Sequence, residues 1–157
     1  MERGVFLESV GNRQPDEIWL NAFVGKSAPF YCDRWSRYHK KPFKGLNLPA
    51  LFFPFAWMAY RKLYLEAAAA YAMVTAVPIA AAALFGSRAL LIGDLLRVLT
   101  GVFANTLYYN KAAWATKKKT AGMDEEQRLA LLEKQGGVCP VAIFIVIVLD
   151  ITLAVAA

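Results

Sequence analysis

The chain has 157 residues, which is enough for one domain of ordinary size, and its net charge at pH 7 is +6. Hydrophobic residues make up 58% of it, which exceeds the roughly 45–50% typical of soluble domains. The excess lies in long blocks in the second half of the chain. A bilayer selects such blocks because each backbone group there must be satisfied within its own helix. The sequence therefore predicts an all-α integral membrane protein and disfavours a soluble helical core.

Residues 1–45 are predicted to form a cytoplasmic helical region. A short helix begins near Asp16, and Ser27 is positioned to cap a second helix with two distinct faces. The aromatic face holds Tyr31, Trp35 and Tyr38, and the basic residues of this stretch are Arg34, Arg37, Lys40 and Lys41. These faces fit two roles, docking on anionic lipid headgroups or packing within the cytoplasmic region. No nucleic-acid-binding module is recognisable, so nucleic acid is not expected as a partner.

Residues 46–62 contain most of the aromatic stretch LFFPFAWMAYRKLY, which occupies residues 51–64. The apolar part, residues 46–60, has about 15 residues and would reach only about 22 Å as a helix, less than a bilayer core. Two prolines also interrupt it. We expect an interfacial or re-entrant helix, although a fourth crossing remains open. The expected membrane-interface anchors are Phe52, Phe53, Phe55, Trp57, Tyr60, Arg61 and Lys62.

Three later blocks have the length and apolar character of transmembrane helices, at residues 63–85, 89–109 and 138–157. The link at 110–137 contains a predicted amphipathic helix over 123–135. Basic residues crowd the region before residue 46 and this link. By the positive-inside rule both are cytoplasmic, and the C-terminus lies outside. Lys117, Lys118 and Lys119 are expected to bind anionic headgroups at the end of the second crossing.

Charged residues occur inside two of these blocks. Asp94 and Arg97 lie in the second, on a helical stripe with Gly101, Asn105 and Tyr108, and Asp150 lies in the third. Arg97 and Asp150 are predicted at similar depth, so Arg97 can bridge Asp94 on its own helix and Asp150 on the neighbouring helix. We interpret this cluster as a structural lock between helices or subunits. A proton or ion relay is the alternative.

No catalytic motif, phosphate-binding loop or metal-ligand spacing appears, and Cys32 and Cys139 are interpreted as ordinary thiols. The chain is therefore not expected to be an enzyme or to bind a metal or cofactor. The preferred function is a scaffold or accessory subunit of a larger membrane complex or of a homo-oligomer. The alternative is an oligomeric pore or small transporter lined by the Asp/Arg stripe. A lipid-modifying enzyme is a more distant possibility.

Three features carry a family resemblance: AFVGK at 22–26, Tyr31 with Trp35, and LFFPFAWMAYRKLY at 51–64. Together they resemble the domain of unknown function 2628 family, over about residues 21–137. Leu63 stands where that family usually has methionine. The resemblance implies a small bacterial inner-membrane protein and supplies no established activity, so it transfers no catalytic residue.

Overall fold

The computed structural model describes residues 15–38, 40–41 and 44–156, without the side chains of residues 15, 16, 150 and 153–156. Every regular element within those residues is helical. Three helical stretches are long and apolar enough to cross a membrane: Tyr64–Phe85, Ser87–Lys119 and Glu125–Leu149. The prediction of an all-helical chain with three such stretches is confirmed. Their length and composition indicate a membrane location.

The chain divides into two compact units. The first is built from residues 15–38 and 109–137. Its elements are α1 (Pro15–Val24), a 3₁₀ turn (Gly25–Ser27), α2 (Ala28–Arg37), the last residues of the long helix α6 (Leu91–Trp114), a π-helical turn (Ala115–Lys119) and α7 (Glu125–Gln135). Helix α1 packs against α2, α7 and the π turn.

The first unit has an aromatic core of the kind found in soluble helical proteins. Phe23, Tyr31, Trp35 and Leu132 are buried in it, and the Trp35 ring lies edge-on to Tyr109 with centroids 5.3 Å apart. At the end of helix α7 the Gly136 amide donates a hydrogen bond to Leu132 O. The next amide, that of Gly137, donates to Phe23 O at 2.7 Å.

Gly136 has a steric reason to be glycine. A Cβ built at this position would lie 1.8 Å from Phe23 O. The backbone of α1 occupies that space, and no rotamer change could clear it. The Gly136–Gly137 pair that follows α7 therefore forms a close contact with α1.

The second unit consists of residues 40–108 and 138–157. Its helices are α3 (Leu48–Phe52), α4 (Pro54–Tyr60), α5 (Tyr64–Phe85), the part of α6 up to Tyr108, and α8 (Pro140–Ala156), with a 3₁₀ turn (Ser87–Leu90) before α6. Helix α4 packs on α5 and α8. Helices α5 and α6 approach closely at Gly93, where an added Cβ would lie 3.0 Å from Pro78 Cγ.

The boundaries of the long helices differ unevenly from their predicted positions. Helix α5 begins one residue after the predicted start at 63, and α8 begins two residues after the predicted start at 138. The second stretch instead stays helical to Lys119, ten residues past its predicted end at 109. Alanine and lysine dominate the added residues and favour helix, so no local signal ends it sooner.

Candidate functional site formed by the aromatic segment and helix α6

The aromatic segment, residues 44–62, enters the second unit beside the middle of α6. The Lys44 amide donates to Thr106 Oγ1 at 3.1 Å, and Asn105 Nδ2 donates to Gly45 O at 3.0 Å. Asn105 is fully buried, where a polar side chain is tolerated only if it is hydrogen-bonded. These two bonds fix where the segment begins to contact α6.

Asn47 connects the start of α3 to the same point on α6. Its Nδ2 donates to Asn105 Oδ1 at 3.0 Å, while its own Oδ1 accepts from the Ala50 amide at 3.3 Å. Asn47 is therefore both the N-cap of α3 and the partner of Asn105. A buried pair of amides satisfies donors and acceptors on both elements at once, which fixes their register.

The segment then packs its backbone directly against α6 at Gly101. A Cβ at Gly101 would lie 2.5 Å from Ala50 O and 2.7 Å from Leu51 Cα. Main-chain atoms fill that space, so any larger residue would push the two elements apart. From Thr106 to Gly101 the contact moves five residues along α6, about 7–8 Å.

After this point the chain turns back along α6. Helix α3 ends at Phe52, and Pro54 begins α4, whose Trp57 ring packs on Tyr108 with centroids 5.9 Å apart. The guanidinium of Arg61 lies 5.4 Å from the Tyr108 ring centre and 5.4 Å from that of Tyr60. The segment therefore begins and ends at the same stretch of α6, residues 105–108, with Gly101 facing its apex.

The end of α4 is fixed to α5 and α8. Lys62 has a positive φ of 59°, and the Leu63 amide donates back to Met58 O at 2.9 Å. Such a left-handed residue closes a helix, and at a non-glycine position it costs roughly 1–2 kcal/mol. The Cys139 amide, just before α8, donates to Tyr60 O at 2.8 Å. Helix α4 therefore ends before the Arg61–Lys62 pair, and α5 begins at Tyr64.

The predicted interface residues separate into two groups. Phe52 and Phe53 are exposed, with 67% and 66% of their surface accessible, and Tyr60 and Lys62 are half-buried. Phe55 and Trp57 are buried, and Arg61 is only 5% exposed. Phe55 packs edge-on against Tyr71 with centroids 5.0 Å apart. The buried three hold the segment to the protein, so an interface role stays a prediction only for Phe52, Phe53, Tyr60 and Lys62.

The predicted charge cluster is not assembled within the described residues. Asp94 and Arg97 are both exposed, and no ion pair joins them there. The guanidinium of Arg97 instead lies 5.7 Å from the Phe55 ring centre. The Asp150 side chain lies outside the described residues, so its predicted pairing stays a prediction. Gly101, Asn105 and Tyr108, the rest of the predicted stripe, receive the aromatic segment.

The basic residues predicted to meet headgroups remain at the surface. In the first unit Arg37 pairs with Asp33, and that hydrogen-bonded ion pair raises the pKa of Arg37 above its ordinary value. Lys119 Nζ lies 5.5 Å from the centre of the half-exposed Trp114 ring. Arg34 is half-buried, and Lys40, Lys41, Lys117 and Lys118 are exposed. Tyr31 and Trp35 pack inside the unit, so the aromatic face of α2 has the packing role.

Sequence reasoning missed Arg128. Its guanidinium lies 4.2 Å from the centre of the Trp19 ring and donates to Thr116 O in the π turn. A cation that bonds a C-terminal carbonyl stabilises the end of a helix. A single charged residue on a short amphipathic helix such as α7 ordinarily predicts solvent exposure, so the sequence pattern did not indicate this contact. Among the described residues no group of three or more His, Cys, Asp or Glu is placed to hold a metal ion.

Comparison with known proteins identifies the family. The family described as "Protein of unknown function (DUF2628)" matches residues 17–113, a range from α1 to the last residues of α6 that includes the aromatic segment. No curated protein and no solved structure matches the chain. Because the match covers more than half of the 157 residues, the chain belongs to the domain of unknown function 2628 family.

Proposed function

We propose that this protein is an integral membrane protein that serves, without catalysis, as a scaffold or accessory subunit. Its partner is a larger membrane complex or further copies of itself. The main observation in support of this role is an exposed stripe of alanines on α5.

The apolar surfaces of α5 and α8 support the membrane setting. Of the 22 residues of α5, Ala67 and Pro78 are buried, and Leu84 and Phe85 are about four-fifths exposed. Lipid accommodates such a surface, whereas monomeric soluble proteins rarely expose large apolar patches. The basic residues near the start and in the 110–137 link favour a cytoplasmic N-terminus and an outward C-terminus. The family resemblance favours the bacterial inner membrane.

The alanine stripe supports helix contact with a partner. Its exposed members, separated by three or four residues, are Ala69, Ala72, Ala76, Ala80 and Ala83. Small residues at this spacing allow the backbones of two membrane helices to approach closely. Within the described chain this side of α5 stays exposed, so a helix from another chain has room to pack there. Anionic lipid headgroups near Lys117, Lys118 and Lys119 are further proposed partners.

The contacts of α6 weigh against a pore. A pore would need the polar stripe of α6 to face water, but Asn105 and Tyr108 have no exposed surface. Gly101 is in backbone contact with the aromatic segment. Only Asp94 and Arg97 of the stripe are exposed, near one end of a helical stretch of 33 residues. Two charges near one end do not line a continuous path.

The test is extraction in mild detergent at native expression, with particle mass and co-purifying chains measured together. We expect an assembly larger than one chain in its detergent micelle. Ala76→Leu with Ala80→Leu should shrink it, because the larger side chains hold a partner helix away. Met73→Leu with Val77→Leu is the matched control on a neighbouring exposed row of α5. A monomer for the unaltered chain, or equal effects of both pairs, would refute the proposal.

A further inference from the structure

We propose that residues 44–62 form a one-leaflet insertion whose basic open end meets anionic headgroups and whose apex, Phe52 and Phe53, lies among acyl chains of the same leaflet. The protein therefore occupies more area in that leaflet than in the other, and it prefers membranes that are convex on that side. This inference rests on the membrane setting proposed above and is independent of the scaffold role.

The path of residues 44–62 brings both ends of the segment to one level of α6. The segment contacts α6 at Asn105 and Thr106, reaches Gly101, and returns to Tyr108. If α6 crosses the bilayer, a chain that starts and ends at one level of α6 enters and leaves on one side. Its excursion of about 7–8 Å is roughly half of the ~15 Å thickness of one hydrocarbon leaflet.

Polarity changes along the segment from basic residues near its open end to apolar residues at its apex. Lys40 and Lys41, which are exposed, precede the segment along the chain, and Lys62, which is half-buried, lies at its end, whereas Lys44 and Arg61 are buried. The apex carries Phe52 and Phe53, both about two-thirds exposed. Cationic side chains are attracted to anionic headgroups, and aromatic side chains suit the boundary just below them. The gradient therefore matches a lipid leaflet in both charge and depth.

Backbone amides near the apex are hydrogen-bonded within the segment. Hydrocarbon tolerates main-chain amides only if they are already hydrogen-bonded. The amides of residues 50, 51, 53 and 57 donate to Asn47 Oδ1, Asn47 O, Pro49 O and Phe53 O. Pro49 and Pro54, at the starts of α3 and α4, have no amide hydrogen to satisfy. These four amides and the two prolines are therefore compatible with an apolar solvent.

Exposed apolar residues of α6 near Gly101 favour acyl chains as the molecules that cover the apex. Val98 and Phe103, which flank Gly101 along α6, are also about half exposed. Exposed apolar side chains of a helix of membrane-spanning length therefore lie within three residues of the level at which the segment packs on α6. Lipid covers exposed apolar side chains at one depth without requiring a separate groove for a partner.

Depth is tested with a nitroxide at Phe53→Cys, with Cys32→Ser and Cys139→Ser, in the full chain. The chain is reconstituted in vesicles of phosphatidylethanolamine and phosphatidylglycerol. Collisions with oxygen report hydrocarbon, and collisions with a nickel chelate report water. Val98→Cys and Lys41→Cys provide the membrane and aqueous references. We expect frequent oxygen and rare nickel collisions at Phe53. Nickel collisions as frequent as at Lys41 would place the apex in water, and rare collisions with both reagents would place it inside protein. Either result overturns the proposal.

Curvature preference is tested by the distribution of the chain between small and large vesicles of that composition. Chains whose N-terminal region faces outward are counted by protease accessibility. We expect at least about twofold enrichment in small vesicles, lost in Phe52→Ser with Phe53→Ser. The matched control, Phe144→Ser with Ile145→Ser, alters two equally exposed apolar residues on α8 and should keep the enrichment. No enrichment of the unaltered chain, or equal loss in both pairs, overturns the proposal. Neither test depends on particle mass, so the scaffold role can fail separately.

Discussion

The two compact units distribute polar and apolar residues in opposite ways. In the first unit the aromatic rings of Tyr31 and Trp35 are buried, and the Arg37–Asp33 ion pair is at the surface. In the second unit the amides of Asn47 and Asn105 are buried, while apolar side chains cover the surface of the long helices. The first pattern suits water and the second suits lipid. One short chain therefore combines a unit with a buried aromatic core and a unit whose long helices are apolar on the outside.

The largest effect is expected in the first unit. Trp35→Ala should lower the free energy of unfolding by about 3–5 kcal/mol, because it empties a buried aromatic site. The measurement is unfolding in mild detergent without anionic lipid. Phe30→Ala, on the same helix but more than half exposed, should cost much less. Similar costs for the two changes would show that the aromatic face of α2 is not a core.

The next effect concerns the backbone contact of the second unit. Gly101→Ala should cost about 2–3 kcal/mol, since its Cβ overlaps main-chain atoms of Ala50 and Leu51. Gly93→Ala is the control on the same helix, where the nearest atom is the side-chain carbon of Pro78 at 3.0 Å. Titration of the folded protein with a denaturing detergent measures both changes. A larger cost at Gly93 would mean that α6 does not hold the segment at Gly101.

A smaller effect tests the buried amides. Asn105→Ala should cost about 1–3 kcal/mol, because Gly45 O and Asn47 Nδ2 lose their partner. Asn47→Ala added to it should cost less than the sum of the single changes, because the two residues share one hydrogen bond. The same denaturing titration gives the stability of the unaltered chain, the two single variants and the double variant. Additive costs would show that the two amides act independently.

The smallest effect is expected at the surface of the first unit. Arg37→Gln should leave the free energy of unfolding unchanged within error, because an exposed ion pair contributes little. Thermal unfolding at low and at high salt measures this directly. A clear loss of stability at low salt would show that the charged surface of α2 stabilises the unit.

The long apolar helices were predictable from sequence, because a helix of about 20 apolar residues is specified by its own composition. Helix α5 accordingly starts one residue from its predicted position. The spacing of Gly101, Asn105 and Tyr108 also predicted a shared face of α6. The occupant of that face could not be predicted, since the Asn47–Asn105 contact joins residues 58 positions apart and no local pattern encodes such a pairing.

The aromatic segment shows the same limit at the level of single side chains. Phe52, Phe53, Phe55 and Trp57 share one chemical character, and composition treats them alike. Helix α3 ends at Phe52 and Pro54 begins α4, with Phe53 between them. Phe52 and Phe53 are exposed, and Phe55 and Trp57, inside α4, are buried. The buried state of Arg61 was equally hidden, because an arginine beside a lysine ordinarily predicts a charged end in contact with headgroups.

The distance between Asn47 and Asn105 also has a consequence for synthesis. Their separation of 58 residues corresponds to about 3–12 s of translation at roughly 5–20 residues per second. During that interval the aromatic segment has left the ribosome and α6 is still being made. Something other than α6 must shield its apolar apex over those seconds. In the membrane setting proposed above, the insertion machinery and the nearby headgroups are the surfaces present at that time, and the segment takes its final place only after α6 arrives.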